Sequence, residues 1–270
     1  MNAELLLMFV LGCDRAYLYG HPEKELTADQ ALGYQQALAQ RASGIPAQYI
    51  TGHQEFWGMD LLVSPAVLIP RPETEHVVER VLELLADWRG KHDRVPLEFK
   101  ENRPRVVDVG TGSGCIALAL AKELLQVEIH ATDVSAEALQ IAKTNAHRLK
   151  LEDRLAFHQT DLLIGLATPG FDIVVSNPPY VGLAEEDQVQ LEVRKFEPRS
   201  AVFAGESGLE VINRLVPQAY EALKPGGWLV MEISGTIVEG AQKAVAGWNQ
   251  VQVLPDLQSI PRVVSAQRPS

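Results

Sequence analysis

Four consecutive residues, Asn177-Pro178-Pro179-Tyr180, suit the binding of an uncharged NH₂ group. A primary amide or an exocyclic amine has two hydrogens to donate, and the side-chain oxygen of Asn177 and the carbonyl of Pro178 could accept them. The two prolines lack a backbone donor and keep the loop rigid. The ring of Tyr180 can pack over a flat planar group. We therefore take these residues as candidates for catalysis and substrate binding, although a Pro-rich turn or docking segment has the same composition.

A second candidate is the glycine-rich run Gly110-Thr111-Gly112-Ser113-Gly114. Its glycines let the backbone turn tightly and approach a ligand closely. The GxGxG spacing differs from the GxGxxG of dinucleotide-binding proteins, in which a helix N-terminus points at a pyrophosphate. The run therefore favours a nucleoside cofactor without phosphates, although a tight strand-to-helix turn without any ligand explains this loop alone equally well.

Two further positions extend the predicted cofactor site. Asp133 lies 19 residues after Gly114, at the end of the second predicted strand, where a carboxylate can accept hydrogen bonds from both ribose hydroxyls. The alternative is that Asp133 caps the helix that begins near Ser135. Asp161 and Leu162 follow the third predicted strand, where the edge of an adenine could be held. Taken together, the three segments predict one cofactor site.

The elements that position these residues form an alternating pattern from residue 106 onward. Strands are predicted at 106–109, 127–132, 155–158, 171–176 and 228–233, with helices at 115–125 and 136–149. Short apolar runs that alternate with helices are typical of βαβ units around a buried parallel sheet. Open α/β sheets bind ligands outside the carboxyl ends of their strands, which is where all the candidate segments fall.

The residues before this pattern are predicted to form a helical part. Apolar residues recur at helical spacing over Leu5–Val10, and Gly12 can end that helix. A second helix is predicted to begin near Thr27, which makes a capping-box pattern with Gln30, and to end near Ser43.

A hairpin is predicted at residues 56–63 with Gly58 at its turn, and a helix at 73–88. We therefore divide the chain into a helical domain at 1–52, a β-hairpin linker at 53–72 and an α/β domain at 73–270. The apolar run Leu5–Leu11 is too short to span a bilayer and follows no basic segment, so we expect no membrane association.

Composition excludes several classes of function. The 270 residues carry a formal net charge of -11, which disfavours nucleic acid because phosphates supply most of its non-specific affinity for proteins. The two cysteines, Cys13 and Cys115, form no disulfide framework or ligand set, and the histidines are scattered. We expect no metal site and a reducing, cytoplasmic environment.

Three other segments complete a pattern that is similar to a known family. These are Pro46–Gly52 with Glu55–Gly58, Leu68–Glu75, and Ala204–Leu209. With Asn177–Tyr180, they resemble the bacterial release-factor glutamine N5-methyltransferases, the HemK/PrmC family, over nearly the whole chain. The segment Asn177–Tyr180 alone resembles amino methyltransferases in general, including DNA adenine enzymes.

The resemblance implies a class I (Rossmann-like) methyltransferase sheet in residues 73–270, with a β-hairpin connector and a small N-terminal helical domain that grips the release factor. It implies that Gly110–Gly114, Asp133, Leu162 and Asn177 hold the cofactor S-adenosylmethionine. It also implies that Asn177, Pro178, Pro179 and Tyr180 hold the glutamine of the Gly-Gly-Gln loop of a class 1 peptide chain release factor, which is methylated on its side-chain nitrogen.

Alternatives to this function are methylation of a glutamine in a ribosomal protein or of a nucleobase amine, or a non-catalytic adaptor that binds translation factors. Members of the family usually have another helix before the segment that resembles Asn2–Leu7. We therefore expect the first helix of the bundle to be missing here, which bears on partner binding.

Overall fold

Four helices make up the N-terminal part of the computed structural model, which describes residues 2–92, 103–166 and 169–270. They are α1 (Asn2–Leu11), α2 (Arg15–Gly20), α3 (Ala28–Ala42) and α4 (Ala47–Thr51). The predicted capping box begins α3, because the Thr27 hydroxyl accepts from the Gln30 N–H and the Gln30 side chain accepts from the Thr27 N–H. Sequence analysis missed α2 and α4, which are too short to show helical periodicity.

A two-stranded antiparallel hairpin follows, with β1 (His53–Phe56) and β2 (Met59–Leu62). Its two-residue turn is Trp57-Gly58, and both residues have positive φ angles, 54° and 63°. This backbone matches the right-handed twist of the paired strands, as in a type I′ turn. The predicted hairpin with Gly58 at its turn is confirmed, although its first strand begins at His53 rather than Phe56.

The main sheet has seven strands among the described residues. They are β3 (Arg105–Val109), β4 (Glu128–Asp133), β5 (Leu155–Gln159), β6 (Phe171–Ser176), β7 (Leu223–Glu232), β8 (Asn249–Pro255) and β9 (Pro261–Gln267). Their spatial order is β5-β4-β3-β6-β7-β9-β8. The strands β3 to β7 are mutually parallel, whereas β9 is antiparallel to both of its neighbours. The predicted parallel sheet is thus confirmed, and sequence analysis missed its antiparallel edge.

Helices cover both faces of this sheet. They are α5 (Glu75–His92), α6 (Cys115–Glu123), α7 (Ala136–Arg148), α10 (Glu210–Ala222) and α11 (Val238–Ala244), whereas the short helices α8 (Leu191–Phe196) and α9 (Arg199–Val202) lie in the connection between β6 and β7. Helices α5 and α6 bury their apolar side chains in one core cluster, and α10 and α11 in another. Val106 belongs to the first cluster and Val107 to the second, because successive strand residues point to opposite faces. None of the described helices is long and apolar enough to cross a membrane.

Candidate active site

The loops after β3, β4, β5 and β6 surround one cavity of about 380 Å³ at the carboxyl edge of the sheet. Most of the predicted site residues line it, namely Gly110, Thr111, Gly112, Ser113, Asp133, Asp161, Leu162, Asn177 and Pro179. We call this space the first cavity. Gly114, Pro178 and Tyr180 are not part of its lining. The parallel topology brings these residues together because every one of these strands ends at the same edge.

The glycine-rich loop turns directly from β3 into α6. The N–H groups of Gly110 and Thr111 both donate to the carbonyl of Thr132, at 2.9 Å each, so the loop is held against β4. Gly114 begins α6 with φ 85°, and a Cβ atom there would lie 3.2 Å from the Cβ of Ala142. Glycine is needed at this position both for its left-handed backbone and for the close approach of α7.

Asp133 holds the tip of this loop. Its Oδ2 accepts from the Gly112 N–H and its Oδ1 from the Ser135 N–H, both at 2.9 Å. The N-cap of α7 is Ser135, whose hydroxyl accepts from the Ala138 N–H, so the alternative that Asp133 caps this helix is wrong. Each carboxylate oxygen has a further lone pair. Asp133 can therefore position the loop and still accept hydrogen bonds from a ligand.

Asp161 and Leu162 form another part of the wall of the first cavity. The carboxylate of Asp161 makes an ion pair with Arg214 of α10. Leu162 has φ 55°, in the left-handed region that a branched side chain rarely adopts. Such a conformation costs on the order of 1–3 kcal/mol and persists where the surroundings fix it, often at ligand sites. The surrounding structure therefore holds the loop after β5 in this left-handed conformation at Leu162.

A buried acid that sequence analysis missed lies beneath the glycine-rich loop. The Oδ2 of Asp108 accepts from the Thr111 hydroxyl at 2.7 Å and from the Ala117 N–H at 3.2 Å, whereas Oδ1 has no partner among the described residues. Burial raises the pKa of Asp108 to about 7, and the nearby negative charge of Asp133 acts in the same direction. The sequence does contain a signal for this residue, because an acidic residue stands near the end of an otherwise apolar predicted strand.

The loop after β6 is held at its start by two hydrogen bonds. The Ser176 hydroxyl donates to the Val109 carbonyl at 2.7 Å, which ties β6 to β3. The side-chain Nδ2 of Asn177 donates to the Thr74 hydroxyl oxygen at 3.1 Å. Thr74 is almost fully buried in the turn before α5 and also lines the first cavity.

On the other side of the same loop, Tyr180 lines a second cavity of about 450 Å³. Its wall includes the charged residues Arg71, Glu73, Glu192, Glu197, Glu232 and Arg262. The Tyr180 hydroxyl donates to Oε1 of Glu232 at 3.1 Å, and burial raises the pKa of Tyr180. The segment Asn177–Tyr180 therefore contacts both cavities, with Asn177 and Pro179 in the first and Tyr180 in the second.

Two buried carboxylates shape the second cavity. Glu197 pairs with Arg71 and accepts from the Ile69 N–H at 3.1 Å, which fixes the segment before α5 against the segment that follows α8. Glu232 ends β7 and is 2% exposed; burial raises its pKa. Sequence analysis missed both residues, although Glu232 follows an apolar run in the sequence Leu229-Val230-Met231.

The segment 204–209 supports the back of the loop. The N–H of Ala204 donates to the Val181 carbonyl at 3.0 Å, and the Val181 N–H donates to the Val202 carbonyl at 3.1 Å. A Cβ atom at Gly208 would lie 2.5 Å from the Tyr180 carbonyl oxygen, and Gly208 has φ 80°. This close approach explains why a glycine follows Ser207 in a segment that has no contact with the first cavity.

Family models and individual proteins both match this chain. A model described as the PrmC N-terminal domain matches residues 1–52, and one described as the methyltransferase small domain matches residues 96–195. A release factor glutamine methyltransferase of Koribacter versatilis (strain Ellin345) is 54% identical over 272 residues, 100% of this chain and 91% of that protein. Another, of Moorella thermoacetica (strain ATCC 39073 / JCM 9320), is 41% identical over 271 residues, 99% of this chain and 91% of that protein.

Solved structures resemble the fold at much lower identity. The catalytic domain of human Mettl16, solved with an RNA hairpin, has a TM-score of 0.60 and 15% identity, covering 95% of this chain and 93% of that chain. A methyltransferase from Pyrococcus furiosus has a TM-score of 0.54 and 17% identity, covering 87% of this chain and 98% of that chain. This likeness confirms the predicted Rossmann-like methyltransferase sheet.

Proposed function

This chain belongs to the release factor glutamine methyltransferase family, and we propose that it methylates the side-chain amide nitrogen (N5) of a glutamine in a class 1 peptide chain release factor. The methyl donor is S-adenosylmethionine, and the target is the glutamine of that factor's Gly-Gly-Gln loop. The observation that carries the proposal is the position of the segment Asn177–Tyr180 between two cavities: Asn177 lines the first cavity, which fits a nucleoside, and Tyr180 lines the second.

The lining of the first cavity fits S-adenosylmethionine. Its volume lies within the usual range for small-molecule sites. We propose that Gly110–Gly114 pack along the cofactor, that Asp133 accepts hydrogen bonds from its ribose hydroxyls, and that Asp161 and Leu162 lie beside its adenine. Asp133 and Asp161 of this lining are acidic, which suits a cationic sulfonium better than a phosphate.

Asn177 also takes part in this site, since it lines the same cavity. When bound, the cofactor supplies a methyl group that its sulfonium has already activated. The protein therefore has to bring the glutamine amide to the right place rather than generate a strong electrophile.

We propose that Asn177 and Pro178 hold the glutamine amide through their oxygens, while Pro179 and Tyr180 complete the pocket. An amide nitrogen is a poor nucleophile because its lone pair is delocalised into the carbonyl. Accepting both amide hydrogens aims the nitrogen at the methyl group, and such positioning can supply up to about 7–11 kcal/mol. The same oxygens stabilise the positive charge that develops on the nitrogen. The methylated amide cation is very acidic, so no strong base is needed.

The N-terminal domain at residues 1–52 supplies specificity in this proposal. The pocket of Asn177–Tyr180 contacts only a planar amide and cannot distinguish one glutamine from another. Discrimination must come from contacts remote from the reacting nitrogen, and remote binding energy can raise the rate at the reacting centre.

Three alternatives are less well supported. A ribosomal-protein glutamine would also fit the amide pocket, but the relatives at 54% and 41% identity are named for release factors. A nucleobase amine requires nucleic acid to approach a chain of net charge -11. A non-catalytic adaptor would have no use for the residues that line the first cavity.

The test is transfer of a labelled methyl group from S-adenosylmethionine to four candidates: a whole class 1 release factor, a short Gly-Gly-Gln peptide, a ribosomal protein fraction and duplex DNA. We expect rapid labelling of the whole factor only, with mass spectrometry placing the methyl group on the loop glutamine. Asn177→Ala, matched for thermal stability, should nearly abolish transfer. Faster labelling of ribosomal protein or DNA would refute the proposal.

A further inference from the structure

Two arginines of the second cavity are each held by a carboxylate that is itself nearly buried. Arg71, in the segment before α5, donates from Nη2 to Glu197, whose side chain is 1% exposed. Arg262, in β9, donates from Nε to Asp256 at 2.9 Å, and the Asp256 side chain is 8% exposed. The turn between β8 and β9 fixes this carboxylate in its place, since Oδ1 of Asp256 accepts from the Ile260 N–H at 3.0 Å. Both guanidinium groups are therefore held in set positions.

Each of these arginines has donors that the fold does not use. A guanidinium group has five N–H bonds in a planar fork. Among the described residues, Nε and Nη1 of Arg71 and both Nη atoms of Arg262 have no hydrogen-bond partner, and none of these nitrogens is buried. Both side chains line the second cavity. The wall of this cavity therefore offers oriented donors to a molecule that enters it.

The charges of the wall favour an uncharged acceptor. Each guanidinium already faces the carboxylate that holds it. Glu73 and Glu192 of the wall are two further acidic residues, and Glu192 pairs with Arg41 of α3. The positive charge of the arginines is thus balanced, and a phosphate or carboxylate would gain little here. A peptide carbonyl oxygen, which is neutral, suits these donors better.

The same wall also offers acceptors. Glu73, Gln48 and Gln190 line the cavity, and their side chains make no hydrogen bond to another described residue. A carboxylate accepts only, and a side-chain amide both accepts and donates. The main chain of a peptide presents C=O and N–H groups in turn, so it can use both kinds of partner. A Gly-Gly segment offers main-chain groups and no others.

We infer that the second cavity binds the main chain of the two glycines before the target glutamine, with Arg71 and Arg262 donating to their carbonyl oxygens and Glu73 accepting from an N–H. Tyr180 lines the same cavity, so a segment bound there leads directly to the proposed amide pocket. A larger side chain in place of either glycine would hold the main chain away from this polar wall. Arg71 and Arg262 are then substrate-binding residues that determine specificity. The inference rests on the proposed function, because it concerns the same loop of the substrate.

The kinetic test replaces each arginine by lysine. Arg71→Lys and Arg262→Lys keep a positive charge opposite the carboxylate, so the fold should survive, but a single ammonium replaces the planar fork. We expect each variant to lower kcat/KM on the whole release factor by about tenfold to a hundredfold, the range for one lost hydrogen bond from a charged group. The Kd of S-adenosylmethionine should not change, since neither residue lines the first cavity. Arg148→Lys of α7 is the matched control, because Arg148 is also ion-paired and its side chain is similarly exposed.

A binding measurement separates this inference from the proposed function. In protein labelled with ¹⁵N-arginine, the Nε–H resonances of Arg71 and Arg262 are identified by their loss in the two lysine variants. They should shift on titration with a Gly-Gly-Gln peptide whose ends are blocked, and they should not shift with inorganic phosphate. A peptide in which a trans-alkene replaces the Gly–Gly peptide bond lacks one carbonyl and one N–H, and it should bind about tenfold more weakly.

Three results would overturn the inference: resonances that do not move with the peptide, equal affinity for the alkene analogue, or parent kcat/KM in both lysine variants. Resonances that move with phosphate but not with the peptide would indicate an anion site instead. If the parent protein methylates no release factor while the peptide still shifts both resonances, the proposed function fails and the main-chain site stands.

Discussion

Asp133 illustrates how one side chain can serve both the fold and a ligand. Its two oxygens accept from Gly112 and Ser135, so a substitution affects the glycine-rich loop as well as any ribose contact. We expect Asp133→Ala to weaken binding of S-adenosylmethionine by at least about 1.5–3 kcal/mol, the usual value for one lost hydrogen bond to a charged group. Calorimetric titration measures this. Asp153→Ala, at an exposed site, is the control, and an affinity equal to the parent's in Asp133→Ala would remove Asp133 from the cofactor site.

Asp108 should make stability depend on pH. Its pKa of about 7 in the folded protein is above the ordinary 3.8, so the folded state binds this proton more tightly than the unfolded state does. Between about pH 4 and pH 7 the unfolded chain therefore holds fewer protons, and Asp108 lowers the free energy of unfolding as pH rises, by at most about 1.4 kcal/mol per pH unit.

Asp108→Asn removes this titration. We expect the stability of the variant relative to the parent to increase from pH 5 to pH 8, as measured by urea unfolding at each pH. Asp153→Asn, an exposed acid, serves as the control and should show a difference that hardly changes with pH. A constant difference for Asp108→Asn would mean that Asp108 is ionised throughout this range.

At the scale of elements, one side chain of α7 joins the hairpin to the cofactor loop. Asn145 is 1% exposed; its oxygen accepts from the Leu62 N–H at 2.7 Å, and its NH₂ group donates to the carbonyls of Leu62 and Ser113 at 3.0 and 2.9 Å. Asn145→Asp would place a carboxylate oxygen against two carbonyls, which should lower the free energy of unfolding by about 3 kcal/mol or more. Denaturant unfolding measures this, with exposed Asn213→Asp of α10 as the control. A loss of the same size in both variants would contradict this role.

The segment 204–209 packs closely against the loop after β6 at Gly208. In Gly208→Ala the new methyl group would overlap the Tyr180 carbonyl, so the loop must shift. We expect a strong loss of methyl transfer with cofactor affinity close to that of the parent, because Gly208 does not line the first cavity. Methylation assays and calorimetry check this. Gly235→Ala, where a Cβ would have only ordinary contact, should be near the parent in both; full activity of Gly208→Ala would contradict the prediction.

The sequence predicted most elements whose signal is local, although it missed the amphipathic helix α10. The parallel strands are continuous apolar runs, and Trp57-Gly58 and Thr27 have clear turn and capping chemistry. The strands β8 and β9 were missed because β8 is mostly exposed and has no continuous apolar run, and its place at the edge depends on pairing with β9, which no local pattern encodes. Glu232, Glu197 and Asn145 were missed for a related reason: their partners are distant in sequence, so only the fold brings them together.

At the scale of the whole molecule, exposed apolar side chains lie on the N-terminal helices. Phe9 of α1, Tyr19 of α2 and Leu32 of α3 are 49%, 69% and 55% exposed. Exposed apolar groups of this size are common at sites that bind other proteins. They are the most exposed large apolar side chains among the described residues of this domain, and we take them as candidates for contact with a release factor.

We expect Phe9→Ser, Tyr19→Ser and Leu32→Ser, each alone, to reduce methylation of the whole release factor while leaving methylation of a short Gly-Gly-Gln peptide unchanged. The reason is that the peptide is too short to reach the N-terminal domain. Steady-state kinetics on both substrates measure the effect. Leu257→Ser, at the 97% exposed tip between β8 and β9, is the control. Equal rates for all variants on the whole factor would mean that these side chains take no part in recognition.

The two cavities on either side of Asn177–Tyr180 also have a consequence for kinetic order. Cofactor and protein substrate would enter by different routes, so neither has to wait for the other to leave. Spent cofactor could be replaced while the protein remains docked, and binding would be random rather than ordered. S-adenosylhomocysteine should then inhibit competitively against S-adenosylmethionine and noncompetitively against the release factor. Uncompetitive inhibition against the release factor would instead indicate that the cofactor binds only after the protein.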